Sequence, residues 1–322
     1  MIKIALTSGD FDGVGPEIVT KALSKIRPKK DVQFILWRSH RFPKKYLRHI
    51  DRHFNRLTVP TWAATQKVDY DYHRTLVDIE SYSPPAKWVE EMGRAGNQHS
   101  IDALVTAPLS KTGIVQAGMK DIGHTEILRR TTKSQNVFMT FLGQKFNVVL
   151  LTGHTSIRKA YDKISSELLE DCVRNVVGAL ELLPASRRNK PIGLVGLSPH
   201  AGEGGVIDKK EAEIYYPLVK KLRKMKVNIS DPLVPDVCFQ EKYWNKYSFY
   251  IASYHDQGLI PFKMVHSAMP GVQLSLGLPF VRTSVAHGTA KDIFGKNKAD
   301  ETSMVNAINV AIKLIKSKPV KW

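Results

Sequence analysis

Asn147-Val148-Val149-Leu150-Leu151-Thr152-Gly153 runs directly into His154. Ile192-Gly193-Leu194-Val195-Gly196-Leu197-Ser198-Pro199 runs into His200, and Phe249-Tyr250-Ile251-Ala252-Ser253-Tyr254 runs into His255, with Asp256 next. All three stretches are short, apolar and strand-like. Strands of a parallel α/β sheet that point the same way end on one edge, and ligands bind outside their carboxyl ends. Three histidines delivered to that edge can converge on one divalent metal, because neutral imidazole is the commonest nitrogen ligand. Taken singly, each histidine would do no more than cap a strand and bond a loop. The threefold repetition favours the metal.

The same alternation of strand and helix continues outward from these runs. Ile2 to Thr7 and Val32 to Trp37 read as strands, and between them a helix opens at Pro16 and reaches about Ile26. Asp102 to Thr106 reads as a strand around an Ala-Leu-Val core. Ser165 or Ser166 caps a long helix whose apolar face carries Leu168, Leu169, Cys172, Val173, Val176, Val177 and Leu180 at the helical period. Lys209 to Lys226 reads as a basic amphipathic helix and Ser303 to Ile315 as a closing one. The stretch from about Asp69 to Gln98 is expected to hold a strand, a loop and a helix. Together these elements predict an α/β fold with a mainly parallel sheet.

Composition narrows the class. The 322 residues suit two domains or one large one, and 43% apolar content supplies a sizeable core. No run approaches the roughly 18 apolar residues that a membrane-spanning helix needs. Met1 to Leu6 looks like a first strand rather than a signal segment. Cys172 and Cys238 are the only cysteines, and both lie in apolar settings. A disulfide framework is therefore not expected, and a reducing cytoplasm is the expected location. The formal charge is +18, and Lys21 to Leu57 alone holds 12 Lys+Arg against Asp31 and Asp51, a local +10. The patch carries no nucleic-acid-binding signature, so it reads as a solvated surface whose field attracts anionic substrates. Neither a nucleic acid nor a membrane is an expected partner.

Four further segments carry chemistry. Gly9-Asp10-Phe11-Asp12-Gly13-Val14-Gly15-Pro16-Glu17 lies between a strand and a helix, where glycines allow a tight turn and a helix N-terminus offers N–H groups to an anion. It matches neither the dinucleotide glycine fingerprint nor a P-loop. Gly123-His124-Thr125-Glu126 opens a helix, with Thr125 as its expected cap and His124 able to join the helix amides in holding a phosphate. Tyr254-His255-Asp256-Gln257-Gly258-Leu259 is followed by Lys263, Gln273 and Arg282. Asp256 can orient a metal-bound imidazole or take a proton, and Lys263 and Arg282 suit phosphate or carboxylate recognition. Finally, glycines bracket polar residues in His287-Gly288-Thr289-Ala290-Lys291-Asp292-Ile293-Phe294-Gly295, which suits a loop around a bound cofactor.

These segments, with Pro199-His200-Ala201-Gly202-Glu203-Gly204-Gly205 and Leu276 to Val285, resemble the 4-hydroxythreonine-4-phosphate dehydrogenase family, the PdxA-type enzymes of pyridoxal phosphate biosynthesis. The matching pieces run in order along nearly the whole chain, apart from about Lys21 to Gln98. Gly-Val-Gly-Pro-Glu and His-Gly-Thr-Ala are also similar to segments of isopropylmalate and isocitrate dehydrogenases. The resemblance implies two α/β domains around a central cleft, the first of residues 1–115 plus 267–322 and the second of residues 116–266. It implies a homodimer in which His154, His200 and His255 bind one divalent ion (zinc, cobalt, magnesium, nickel or iron), with His255 reaching across from the partner subunit. It places the substrate on His124 and Thr125, with Lys263, Gln273 and Arg282 around its phosphate. Asp236 falls where the family has an acidic residue near the substrate. NAD or NADP would lie against His287, Gly288, Thr289 and Asp292.

The implied reaction is oxidation of 4-phosphohydroxy-L-threonine to a 3-oxo acid that loses carbon dioxide to give 3-amino-2-oxopropyl phosphate, with Asp236 or Asp256 as the base. The chain departs from the family pattern at five places. Phe11-Asp12 replaces Pro-Ala, Ser198 and Gln273 each replace Asn, Asp208 replaces Gly, and Ala286 replaces Asp. A sister dehydrogenase for 4-phosphothreonate, 4-phosphoerythronate or another hydroxy acid is the alternative reading. A metal phosphohydrolase is a third, disfavoured because it needs no dinucleotide loop.

Overall fold

The computed structural model describes residues 1–65, 74–267 and 271–316. The chain divides into two compact units, one of Met1–Gln135 joined by the chain from Leu278, the other of Asn136–Gly277. The first unit opens with β1 (Ile2–Thr7), α1 (Gly15–Ile26), β2 (Val32–Ser39), α2 (Lys44–Asp51), β3 (Asn55–Val59) and α3 (Trp62–Thr65). β4 (Thr75–Ser81), α4 (Pro85–Asn97), β5 (Ala103–Thr106), α5 (Lys111–Gln116) and α6 (His124–Thr132) follow. The second unit contains β6 (Phe138–Leu142), β7 (Val148–Leu150), α7 (Ile157–Lys163), α8 (Ser166–Ala179), α9 (Ala185–Arg188) and β8 (Gly193–Leu194). It continues through α10 (Tyr216–Lys224), α11 (Pro235–Cys238), β9 (Tyr250–Ala252), α12 (His255–Val265) and β10 (Val272–Leu276). β11 (Val281–Ser284) and α13 (Thr302–Lys316) return to the first unit.

The first unit's strands run β3-β4-β2-β1-β5-β11, and every pairing is parallel. All eight residues of β2 are buried, as expected for a strand covered on both faces, which needs a continuous apolar run rather than alternation. Arg38 on this strand is buried with its charge matched: Nε and Nη2 donate to both Asp78 oxygens, at 2.7 and 2.9 Å. α13 lies on β11, β5 and β1.

The second unit's strands run β10-β6-β7-β9-β8. β7 and β8 both pair parallel to β9, so the three histidine-bearing runs do finish on one edge. Their core gathers Phe146, Val148, Leu150, Tyr250, Leu259 and Phe262, with Phe146 edge-on to Phe262 at 5.8 Å. Each such side chain contributes about 1.5–3 kcal/mol by leaving water.

The unit boundaries fall at 135/136 and 277/278, later than the 115/116 and 266/267 expected from sequence. Two contacts explain the shift. α6 packs on α4, where a Cβ on Gly93 would meet Thr131 and Leu128. β10 is paired antiparallel to β6 and so stays with the second unit. The helix expected from Lys209 to Lys226 is also divided: a π-turn, Glu211–Tyr215, precedes α10. The cap of α8 is Ser165, which accepts from the Leu168 amide. Both cysteines are buried and unpaired. No helix among the described residues is long and apolar enough to cross a membrane.

Candidate active site

In the second unit, α12 begins at His255 straight after the extended Tyr254. His255 therefore sits where the strand edge ends. His154, beyond the end of β7, faces it with ring centroids 5.1 Å apart. His255 Nδ1 donates to Asp256 Oδ1 at 2.7 Å, which leaves Nε2 as the ring nitrogen able to bind a metal. Side chains lace the strand ends together. Gln257 accepts from the Ser253 amide and donates to the Gly196 carbonyl, both at 2.7 Å, and Thr152 donates to the Ser253 carbonyl at 2.8 Å.

His200 does not join this pair. It is exposed on the turn Pro199–Gly205 with φ at 54°. Among the described residues no group of three or more His, Cys, Asp or Glu is placed to hold a metal. Within this chain His154 and His255 face each other, whereas the resemblance had His255 reach across from a partner subunit. Asp236 is exposed in the first turn of α11, which packs against the His200 turn. Lys263 is exposed two turns beyond His255 on α12, and Gln273 is half-buried on β10 opposite Phe141.

In the first unit, Arg282 is buried on β11, and its Nη2 donates to Thr106 Oγ1 on β5 at 2.7 Å. Burial pushes the guanidinium down to about 10. His124, first residue of α6, is held well below the usual histidine range, by burial first and then by the Arg282 charge. Its Nε2 is buried with no hydrogen-bond partner among the described residues. The sequence had Thr125 capping this helix. The cap position instead belongs to Gly123, in extended backbone with φ −170°, and Thr125 is half-buried inside the first turn.

The loop from His287 is stitched to the Gly9–Glu17 segment, a meeting of two motifs that sequence reading kept apart. Thr289 accepts from the Val14 amide at 2.9 Å, and a Cβ on Gly13 would come within 2.9 Å of that carbonyl oxygen, so this contact requires glycine. Lys291 reaches Asp12 at 2.7 Å, and the Ala299 amide donates to buried Glu17 at 2.9 Å. His287 donates its own Nδ1–H to the Gly288 carbonyl at 2.9 Å, and Asp292 is exposed. Beside this junction lies a cavity of about 480 Å³, lined by Asp10, Phe11, Arg41, Tyr82, Ser110 and Lys291 among others. Burial raises the Asp10 carboxyl, although the Ser110 amide donates to it at 3.0 Å.

Known proteins resemble this chain along nearly its whole length. A 4-hydroxythreonine-4-phosphate dehydrogenase of Sulfurihydrogenibium sp. (strain YO3AOP1) is 33% identical over 323 residues, 98% of each chain. A protein described as a putative D-threonate 4-phosphate dehydrogenase, from Oceanobacillus iheyensis, is 30% identical over 98% of each chain. The crystal structure of a 4-hydroxythreonine-4-phosphate dehydrogenase from Burkholderia phymatum superimposes with a TM-score of 0.75 at 28% identity, over 98% of each chain. Isocitrate dehydrogenase from Methylococcus capsulatus shares the fold alone, with a TM-score of 0.53 at 16% identity, over 98% of this chain and 86% of that one. Residues 50–311 match the family described as pyridoxal phosphate biosynthetic protein PdxA, and the chain belongs to that family.

Proposed function

We propose that this chain oxidises 4-hydroxythreonine 4-phosphate with a nicotinamide dinucleotide, as a dehydrogenase of pyridoxal phosphate biosynthesis. Family membership supports the reaction class. The single observation that carries the substrate end is the buried, unpartnered Nε2 of His124 beside Arg282. A neutral imidazole next to a guanidinium is suited to donate a hydrogen bond to an anionic substrate without the cost of a second buried charge. Lys263, Gln273 and Thr125 are the further substrate contacts in this reading.

The donor set of the second unit fits a metal. Two imidazoles face each other, and one is oriented by a carboxylate, an arrangement suited to zinc, cobalt, nickel or iron and least to oxygen-seeking magnesium. Such an ion, held by His154, His255 and the His200 of a second copy, would lower the pKa of the substrate hydroxyl. The remaining work belongs to the chain. In this reading Asp256 orients His255 and the proton acceptor is Asp236, on α11 beside the His200 turn. Residues His287, Gly288, Thr289 and Asp292 take the dinucleotide, NAD or NADP, and the neighbouring cavity has room for a nucleoside-sized group. The 3-oxo acid so formed loses carbon dioxide. In this reading the chain works as a homodimer, whose second copy supplies the exposed His200 to complete the set. Exposed Ile157, Tyr161, Val206 and Ile207 around its turn are apolar surface for that contact.

A second reading, oxidation of 4-phosphothreonate, is favoured by the likeness to the Oceanobacillus protein and by Gln273 and Ala286, which depart from the family pattern. The two are separated by following NADH absorbance with each substrate, with and without chelator. We expect metal-dependent turnover of 4-hydroxythreonine 4-phosphate, and a KM raised about 10–100-fold in His124→Ala. Turnover of 4-phosphothreonate alone would overturn the first reading.

A further inference from the structure

The turn that carries His200 is conformationally costly. His200, Ala201, Gly202, Glu203 and Gly204 have φ of 54°, 53°, 74°, 45° and 64°, five left-handed residues in succession. Three of them carry a Cβ, which clashes with the backbone in this region, so the surroundings must impose the shape. Glu211 does so. It is fully buried, and its Oε1 accepts the Leu197 amide at 2.6 Å while Oε2 accepts the Ser198 amide at 3.1 Å. These are the last two N–H groups before Pro199, which has none.

The carboxylate also fills the inside of the turn. A Cβ on Gly202 would come within 2.6 Å of Oε2, and one on Gly196 within 2.9 Å of Oε1. A second carboxylate holds the outside: Asp208 accepts from Ser198 Oγ at 2.8 Å and from Tyr161 Oη at 3.0 Å. Ser198 and Asp208 both depart from the family pattern, and here they bond each other. At the far end of the π-turn that Glu211 opens, Tyr215 Oη hydrogen-bonds Ser253 Oγ at 2.8 Å, two residues before His255. One π-turn thus grips both the His200 turn and the strand end that leads to His255.

We propose that Glu211 is a positioning residue for His200, and that the Glu211–Tyr215 π-turn is the brace that fixes the His200 turn relative to the His255 strand end. The inference rests on the metal reading above. π-turns inside helices recur at functional sites because the extra residue redirects a side chain. Here the redirected side chain is the Glu211 carboxylate.

The test uses full-length, metal-stripped wild type, Glu211→Gln and Asp208→Ala, each titrated with Co²⁺. Gln keeps the volume but presents an NH2 group to one of the two amides. The expected result is a folded Glu211→Gln protein, by circular dichroism, with Co²⁺ affinity down about tenfold or more and an altered visible d–d band. Asp208→Ala should show a smaller change of the same kind. Amide exchange across 197–205, measured without metal, should quicken in both variants. If Glu211→Gln fails to fold, Asp208→Ala decides by the same readouts. Wild-type Co²⁺ affinity and d–d band in folded Glu211→Gln would overturn the positioning role, and so would unchanged amide exchange. A wild type with no Co²⁺ band that His154→Ala removes would overturn the metal reading; amide exchange then decides the clamp alone.

Discussion

At the scale of single residues, the chemistry turns on how burial sets charge. His124 is neutral in the folded protein because burial and Arg282 depress its pKa. The unfolded chain, with an ordinary histidine near pH 6.5, binds that proton more readily. The contribution to stability is therefore full above about pH 6.5 and is lost as pH falls through that value towards the folded pKa. Urea midpoints at about pH 7.5 and about pH 5.5 should fall further in substrate-free wild type than in His124→Gln. Arg282→Met should raise the KM for substrate about 10–100-fold through loss of a charged hydrogen-bonding group, with dinucleotide affinity measured by titration unchanged. His124 was visible in the sequence as an odd residue at a helix start. Its neighbourhood to Arg282 was implied only by the family resemblance and by no local pattern, because the parallel pairing of β5 with β11 and the packing of α6 are tertiary facts. Glu211 gave no signal at all: within a basic amphipathic stretch a glutamate reads as solvated surface, and only its burial shows that it is a ligand of two backbone amides.

At the scale of elements, short apolar runs ending in His154, His200 and His255 announced parallel strands, and β7, β9 and β8 are neighbours in that sense. The helix that follows β9 is seated by a glycine. A Cβ on Gly258 would meet Val148, Leu150 and Ala252 at 2.6–2.9 Å. Gly258→Ala should therefore lift α12 from the sheet, lower stability by about 1–3 kcal/mol in denaturant titration, and weaken metal binding by moving His255. Elements whose ends depend on local chemistry were legible: Pro16 near the start of α1 and Ser165 at the cap of α8 both stand where the sequence put them, to within a residue. Elements shaped by distant contacts were not. The Lys209–Lys226 helix gives way to a π-turn at Glu211, because that side chain is drawn back into the His200 turn.

At the scale of the whole molecule, part of the basic patch is held in ion pairs, although the net charge stays +18. Lys21, Lys25, Arg38 and Arg56 of the basic patch each face a carboxylate, two of them on Asp78. The assembly is open to a direct test. If His200 serves the site of a second copy, His154→Ala and His200→Ala are each inactive alone. Mixed and refolded together they should regain about a quarter of wild-type activity, since half the dimers then carry one intact site. No recovery would show that His154 and His200 of one site come from the same chain. The sequence by itself determined the α/β class and the family, because strand periodicity, glycine turns and motif order are local properties. Tertiary structure alone decided which distant residues meet. His154 faces His255, and the His287 loop closes on Gly9–Glu17. The physical reason is that sheet order and packing, which bring distant segments together, are set by the burial of whole faces and not by any one segment's pattern.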